Sequence, residues 1–284
     1  MERIKRVAAI NDISCIGKCS LTVALPIISA GGIECSVIPT AVLSTHTGGF
    51  ENFTFKDLTD EILPIVKHWK SLNIKFDSIY SGYLGSIAQV DIIDKTIDEL
   101  SDSDTLVLVD PVMADFGELY KNFDKSFPEK MKKICKKADV ITPNITEACL
   151  LTNTPYENGP YTKEFVENLI EKLTLVCDKK IVLTGVYFDE DKLGVATYDN
   201  ETDKINYCFT EKHEGVYHGT GDIFACVLLT ALLNGKNLET AAEIAQNITS
   251  EAIKITKEEK TDVRYGVRFE AVLPKMIELL KWKV

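Results

Sequence analysis

Gly219-Thr220-Gly221-Asp222 runs straight into a stretch, 222–234, that is apolar almost all round: Ile223, Phe224, Val227, Leu228, Leu229, Leu232 and Leu233. Two glycines let a backbone approach a ligand closely. The start of a helix adds unpaired N–H donors and the positive end of its dipole, which together suit a phosphate. Asp222 then has two readings. It can cap the helix by accepting a backbone N–H, or it can take the proton of a substrate hydroxyl held beside those amides.

Other polar residues and glycines follow short β-rich runs. Asn11-Asp12 ends the first, Leu43-Ser44-Thr45-His46-Thr47-Gly48-Gly49 follows the second, and Gly82-Tyr83 the third. Asp110-Pro111-Val112-Met113-Ala114-Asp115, Thr142-Pro143-Asn144 with Glu147, and Thr184-Gly185 follow the next three. Open α/β sheets bind ligands beyond the carboxyl ends of their parallel strands, so six such strand ends in sequence point to one composite site. Singly, each residue has a plainer reading: Tyr83 as a core aromatic, His46 as a satisfied loop histidine, Asp115 as a solvated carboxylate in a flap over 114–120.

The elements that must position them are legible as alternating patterns. Strands are expected over 7–11, 34–42, 78–84, 105–113, 140–144 and 180–186, and helices over 58–71, 88–100 and 163–177. Strands that read as continuous apolar runs between helical segments predict a mostly parallel sheet covered on both faces. Runs 192–199 and 204–212, separated by Asp199-Asn200-Glu201-Thr202-Asp203, predict a closing antiparallel hairpin. The last third is helical, ending in an amphipathic helix over 269–282. The basic run 130–137 reads as the solvated face of a helix. No repeat or linker interrupts the chain, so one domain over 1–284 is expected.

Composition narrows the function. The 284 residues carry 32 Lys+Arg and 43 Asp+Glu, a net charge of −11, which argues against nucleic-acid or anionic-membrane partners. The most apolar stretch, 21–33, is broken by Pro26 and Gly31-Gly32 and is too short to span a bilayer. No leader pattern opens the chain, so a cytoplasmic location is expected. The eight cysteines form no Cys-x-x-Cys pair, which predicts reduced thiols and no structural zinc. Gly17-Lys18-Cys19-Ser20 fails as a P-loop because Asp12 stands where its first glycine would fall. Gly219-x-Gly221 fails as a dinucleotide fingerprint because Phe224 stands at the third glycine.

Gly219-Thr220-Gly221-Asp222 resembles the anion-hole and catalytic motif of the ribokinase superfamily. Asp110-Pro111-Val112-Met113 through Asp115 and Thr142-Pro143-Asn144-Ile145-Thr146-Glu147 are similar to its vitamin-kinase branch. Ala41-Val42-Leu43-Ser44-Thr45-His46-Thr47-Gly48 and Ser81-Gly82-Tyr83 narrow the resemblance to the pyridoxal/pyridoxamine kinases. It implies an α/β/α three-layer sandwich with antiparallel edge strands and no separate lid domain. It also implies ATP-dependent phosphorylation of the 5′-hydroxymethyl group of B6 vitamers in pyridoxal 5′-phosphate salvage. Asp222 would be the base, and the amides of Gly219, Thr220 and Gly221 the anion hole. Asp110, Asn144 and Glu147 would hold Mg²⁺, partly through water, and with Thr184 and Gly185 would line ATP; K⁺ is also implied. Asp12, Thr47 and Tyr83 would surround the pyridine ring, with His46 close by. Asp12 departs from the Ser expected there, which implies a preference for a cationic group such as pyridoxamine's amine. A homodimer is implied.

Three alternatives remain open at this point. A hydroxymethylpyrimidine kinase of thiamine synthesis shares the fold and the Gly-Thr-Gly-Asp motif, though 44–48 and Tyr83 favour the B6 reading. A sugar kinase would need a strand lid early in the chain, for which 11–42 has no room. A non-catalytic vitamer-binding protein would have no need of Asp222.

Overall fold

The computed structural model describes residues 3–281. In chain order it comprises β1 (Arg6–Ser14), α1 (Leu21–Ala30), β2 (Glu34–Leu43), β3 (Phe55–Asp57), α2 (Thr59–Ser71), β4 (Ser78–Ser81), α3 (Ile87–Leu100) and β5 (Leu106–Val109). A short ribbon of β6 (Ala114–Asp115) and β7 (Glu118–Leu119) precedes α4 (Phe127–Cys135), β8 (Val140–Ile141), α5 (Ile145–Thr152), α6 (Lys163–Leu173) and β9 (Lys180–Val186). The hairpin β10 (Lys192–Asp199) and β11 (Lys204–Glu211) leads to α7 (Thr220–Leu233) and α8 (Leu238–Glu259). Two 3-10 turns (Val263–Tyr265 and Phe269–Val272) and α9 (Leu273–Leu280) follow.

Nine strands form one sheet in the order β11-β10-β9-β8-β5-β4-β1-β2-β3. The inner pairs are parallel; β10 and β11 add antiparallel at one end, and β3 at the other. Alternate residues of each strand feed opposite cores. Ala8, Ile10, Ile79, Val107, Val109, Ile141 and Ile181 pack with α2 to α6. Val7, Ala9, Tyr80, Leu108, Val140 and Val182 pack with α1, α7, α8 and α9. Both faces are therefore dry, which is why the strands read as unbroken apolar runs, and each fully buried Ile or Leu contributes about 1.5–3 kcal/mol. This is the three-layer sandwich the sequence implies.

The differences from expectation lie mostly at strand ends. The third, fourth and fifth strands stop at Ser81, Val109 and Ile141, before 84, 113 and 144. Pro111 and Pro143 have no N–H to continue a ladder, and Gly82 is pressed against Asn11, 2.2 Å from where a Cβ would sit. The surplus residues become site loops. Conversely β1 runs on through Asp12 to Ser14, past a register shift against β2. α1 continues through Pro26, α8 was not resolved as its own helix in the sequence pattern, and the closing segment is a 3-10 turn followed by α9. Trp282, the far end of that expected helix, lies outside the described residues. The basic run belongs to α4 and the turn after it; Lys130, Lys133 and Lys137 pair with Asp91, Asp94 and Asp98 of α3. Among the described residues no helix is long and apolar enough to cross a membrane.

Candidate active site

The site is built around the first turn of α7. Gly219 is its cap, with φ of 79° that L side chains rarely adopt, and a Cβ there would lie 2.1 Å from the Lys18 carbonyl oxygen. The loop 15–20 and the helix start are therefore in backbone contact. Asp222, third in the helix, does not cap it. Its Oδ2 accepts from the Ser20 amide at 2.9 Å, and its Oδ1 accepts from Asn11 Nδ2 at 3.2 Å and the Tyr80 hydroxyl at 3.5 Å. The capping alternative for Asp222 is thereby replaced: the side chain reaches across to β1, α1 and β4. Burial, reinforced by the charge of Asp12, pushes this carboxyl up to about 6.

Asp110 follows β5, is buried, and places Oδ2 4.0 Å from the position a Gly221 Cβ would take. Burial first, then the charge of Asp222, pushes it up to about 8. Asn144 and Glu147 form a reciprocal capping box that opens α5: Asn144 Oδ1 accepts from the Glu147 amide at 2.8 Å, and Glu147 Oε2 from the Asn144 amide at 2.9 Å. Glu147 Oε1 accepts from the Met113 amide at 3.0 Å. Asn144 Nδ2 donates to the Ala114 carbonyl at 2.9 Å and to Asp115 Oδ1 at 3.1 Å. Both side chains thus fasten the β6–β7 ribbon to the sheet. That ribbon is the expected flap; Tyr120 donates to Asp115 at 2.7 Å, and Phe116 at its tip is 73% exposed. Thr184 and Gly185 lie where β9 passes β8, with the Thr184 amide donating to the Pro143 carbonyl at 2.9 Å and Gly185 facing open space.

These carboxyls test the fit of a metal. Among the described residues no group of three or more His, Cys, Asp or Glu stands close enough together to hold an ion directly. Yet Asp110 and Glu147 are buried and pushed up, chiefly by burial, Asp115 stands exposed on the flap, and none of the three is paired with a Lys or Arg among the described residues. Such uncompensated negative charge suits a divalent cation that keeps much of its water.

On the other side of Asp222, Asp12 is 4% exposed and accepts from Ser14 Oγ at 2.8 Å and Ser20 Oγ at 2.6 Å; burial pushes it up. His46 is buried with both ring nitrogens engaged: Nδ1 accepts from the Gly48 amide at 3.0 Å, which leaves Nε2–H to donate to the Arg264 carbonyl at 2.6 Å. Burial keeps it neutral by lowering its basicity. Its plainer reading, a loop histidine with satisfied bonds, is therefore what the geometry displays. Thr47 is exposed beside it. Tyr83 is half-buried; its hydroxyl accepts from Asn122 Nδ2 at 2.7 Å and its ring lies 5.8 Å from that of Phe123.

Three contributors escaped the sequence reading, Ser20, Tyr80 and His218, whose ring lies 4.7 Å from that of His46, while Asn11 figured only as part of a strand end. Ser20 before an apolar helical run carried a cap signal, and His218 adjoins Gly219. Tyr80 sits mid-strand among apolar residues and carries none. All eight cysteines are free thiols, and Cys19 packs by Gly219 with its thiol pushed well up by burial.

The family model described as phosphomethylpyrimidine kinase matches residues 27–267. A Bacteroides thetaiotaomicron protein described as a phosphomethylpyrimidine kinase and solved with pyridoxal is 36% identical, with a TM-score of 0.90 over 99% of this chain and 97% of its own. The pyridoxal kinase of Lactobacillus plantarum is 32% identical, with a TM-score of 0.90 over 98% of both chains. The pyridoxal kinase of Leishmania donovani, solved with ADP and pyridoxamine, is 21% identical and shares the fold, with a TM-score of 0.86 over 96% of this chain and 95% of its own. A family-model match over residues 27–267 of the 284 and a shared fold agree with the site's geometry: the chain belongs to the phosphomethylpyrimidine kinase family and, within the ribokinase superfamily, to its pyridoxal kinases.

Proposed function

We propose that the protein transfers the γ-phosphoryl group of ATP to the 5′-hydroxymethyl group of B6 vitamers, with Asp222 as the base. The observation that carries this reading is the carboxylate of Asp222, held up near 6 in the first turn of α7 beside the amides of Thr220 and Gly221. A group with that affinity is mostly ionised at neutral pH and still basic enough to accept the proton of an attacking alcohol. The amides of Gly219, Thr220 and Gly221, with the helix dipole behind them, would stabilise the charge on the transferred group. Phosphoryl transfer needs chiefly positioning and electrostatics, so this equipment suffices.

Thr184 and Gly185 would line the nucleotide phosphates. When bound, Mg²⁺ would neutralise phosphate charge; Asp110 would face it, with Glu147 and Asn144 shaping its surroundings through water. Thr47 and Tyr83 would border the pyridine ring, with His46 holding the loop behind. K⁺ dependence, a homodimer and a cytoplasmic location belong to the same proposal through the family resemblance. The test is mass-spectrometric detection of a vitamer gaining one phosphoryl group when incubated with ATP and Mg²⁺. Product from the native protein and none from Asp222→Ala is expected; vitamer binding without product in either would identify a binder.

A further inference from the structure

Ser20 occupies a backbone conformation, φ 57° and ψ −132°, that an L residue does not hold unaided. It stands at the start of α1, where its carbonyl accepts from the amides of Val23 and Ala24, yet its side chain does not cap that helix. Instead Oγ donates to Asp12 Oδ1 at 2.6 Å, the short length of a bond to a charged acceptor. Asp12 is in turn fixed in β1: Ser14 Oγ donates to its other oxygen, and its amide donates to Asn11 Oδ1 at 3.0 Å. The strained turn thereby presents the Ser20 amide to Asp222 Oδ2 at 2.9 Å, whereas the contacts to Oδ1 are longer, 3.2 and 3.5 Å.

We propose that Ser20, anchored by Asp12, is a positioning residue for phosphoryl transfer: it holds its own N–H on Asp222 Oδ2 and so fixes the orientation of the carboxylate that receives the substrate proton. Asp12 on this view serves the base rather than the ring, because both of its oxygens are spent on serines of this chain. The proposal rests on Asp222 being the base. It deepens that reading by naming what aims the carboxylate.

The alanine and glycine variants separate this role from a substrate contact. Ser20→Ala loses the anchor and keeps a Cβ that disfavours the turn, so the amide leaves Asp222. Ser20→Gly also loses the anchor, but glycine adopts the turn freely and the amide stays. The expected result is a kcat lower by about 10- to 100-fold in Ser20→Ala, a misplacement-sized loss. Ser20→Gly should recover most of it, and the KM values for ATP and pyridoxal should stay near native in both. Equal losses in the two variants, or a loss confined to the KM for pyridoxal, would overturn the proposal. Asp222→Ala run in parallel distinguishes the two failures, since turnover surviving there overturns the base itself. Should Ser20→Ala not fold, Asp12→Ala, which leaves the Ser20 hydroxyl no acceptor there, decides: a lower kcat at unchanged KM supports the anchor, and an unchanged kcat overturns it.

Discussion

Gly219→Ala tests whether the contact between the 15–20 loop and the start of α7 sets the geometry of catalysis. The substitution carries two separable costs. Holding an L residue at φ 79° costs about 1–2 kcal/mol, which lowers the unfolding midpoint of a chain this size by several degrees at most. The new Cβ would also stand 2.1 Å from the Lys18 carbonyl, so loop and helix must part by about 1 Å to reach even the 3.0 Å floor of such contacts. That carbonyl belongs to backbone and cannot rotate aside as a side-chain end would. A displacement of that size at the amides that hold phosphate, and at Asp222 three residues on, predicts a kcat loss of about 10²-fold. Gly221→Ala is the control for stability, because its Cβ meets only Asp110 Oδ2, at 4.0 Å. The assay is steady-state ATP consumption with pyridoxal, paired with thermal unfolding. A Gly219→Ala protein with near-native kcat would refute the claim that this contact places the catalytic turn.

Because Asp222 is pushed up to about 6, kcat should rise with pH through about 6 and then level, and Asp222→Asn should remove that limb along with about 10²- to 10⁴-fold of the rate; a flat profile in the native protein would contradict it. Asp110, pushed up to about 8, binds its proton more tightly folded than unfolded, so with Mg²⁺ chelated it destabilises the fold increasingly as pH rises from its ordinary range towards 8. Asp110→Asn should therefore raise the unfolding midpoint at pH 8, do so little near pH 4, and abolish turnover; thermal scans at the two pH values check it. His46→Ala leaves the Gly48 amide and the Arg264 carbonyl without their partner, a loss of about 1–3 kcal/mol, and should raise the KM for pyridoxal more than it lowers kcat.

The chemistry was legible where residue type and helix-start signals coincide. Gly219 to Asp222 announced a phosphate-ready helix, and Asp110 and Asn144 follow the neighbouring strands β5 and β8, with Thr184 of β9 bridged to Asn144. Asn144 and Glu147 carried a second legible pattern, a cap with an acid three residues on, and the structure gives that pattern its structural meaning as a capping box. What escaped depends on quantities a sequence does not display. Tyr80 reaches Asp222 because β4 lies beside β1, an ordering of strands that no local pattern encodes. Ser20 acts through a left-handed turn that its residue type would not suggest. Asp12 looked like a residue following a strand; the register shift between β1 and β2 keeps it within one, buried between two serines.

The most direct test of the central claim is ATP consumption by the purified protein with Mg²⁺ and K⁺, offered pyridoxal, pyridoxamine, pyridoxine and hydroxymethylpyrimidine side by side, with Asp222→Ala as control. Turnover on the B6 vitamers that disappears in the variant is the predicted result. Turnover on the pyrimidine alone, or turnover that survives without Asp222, would contradict it.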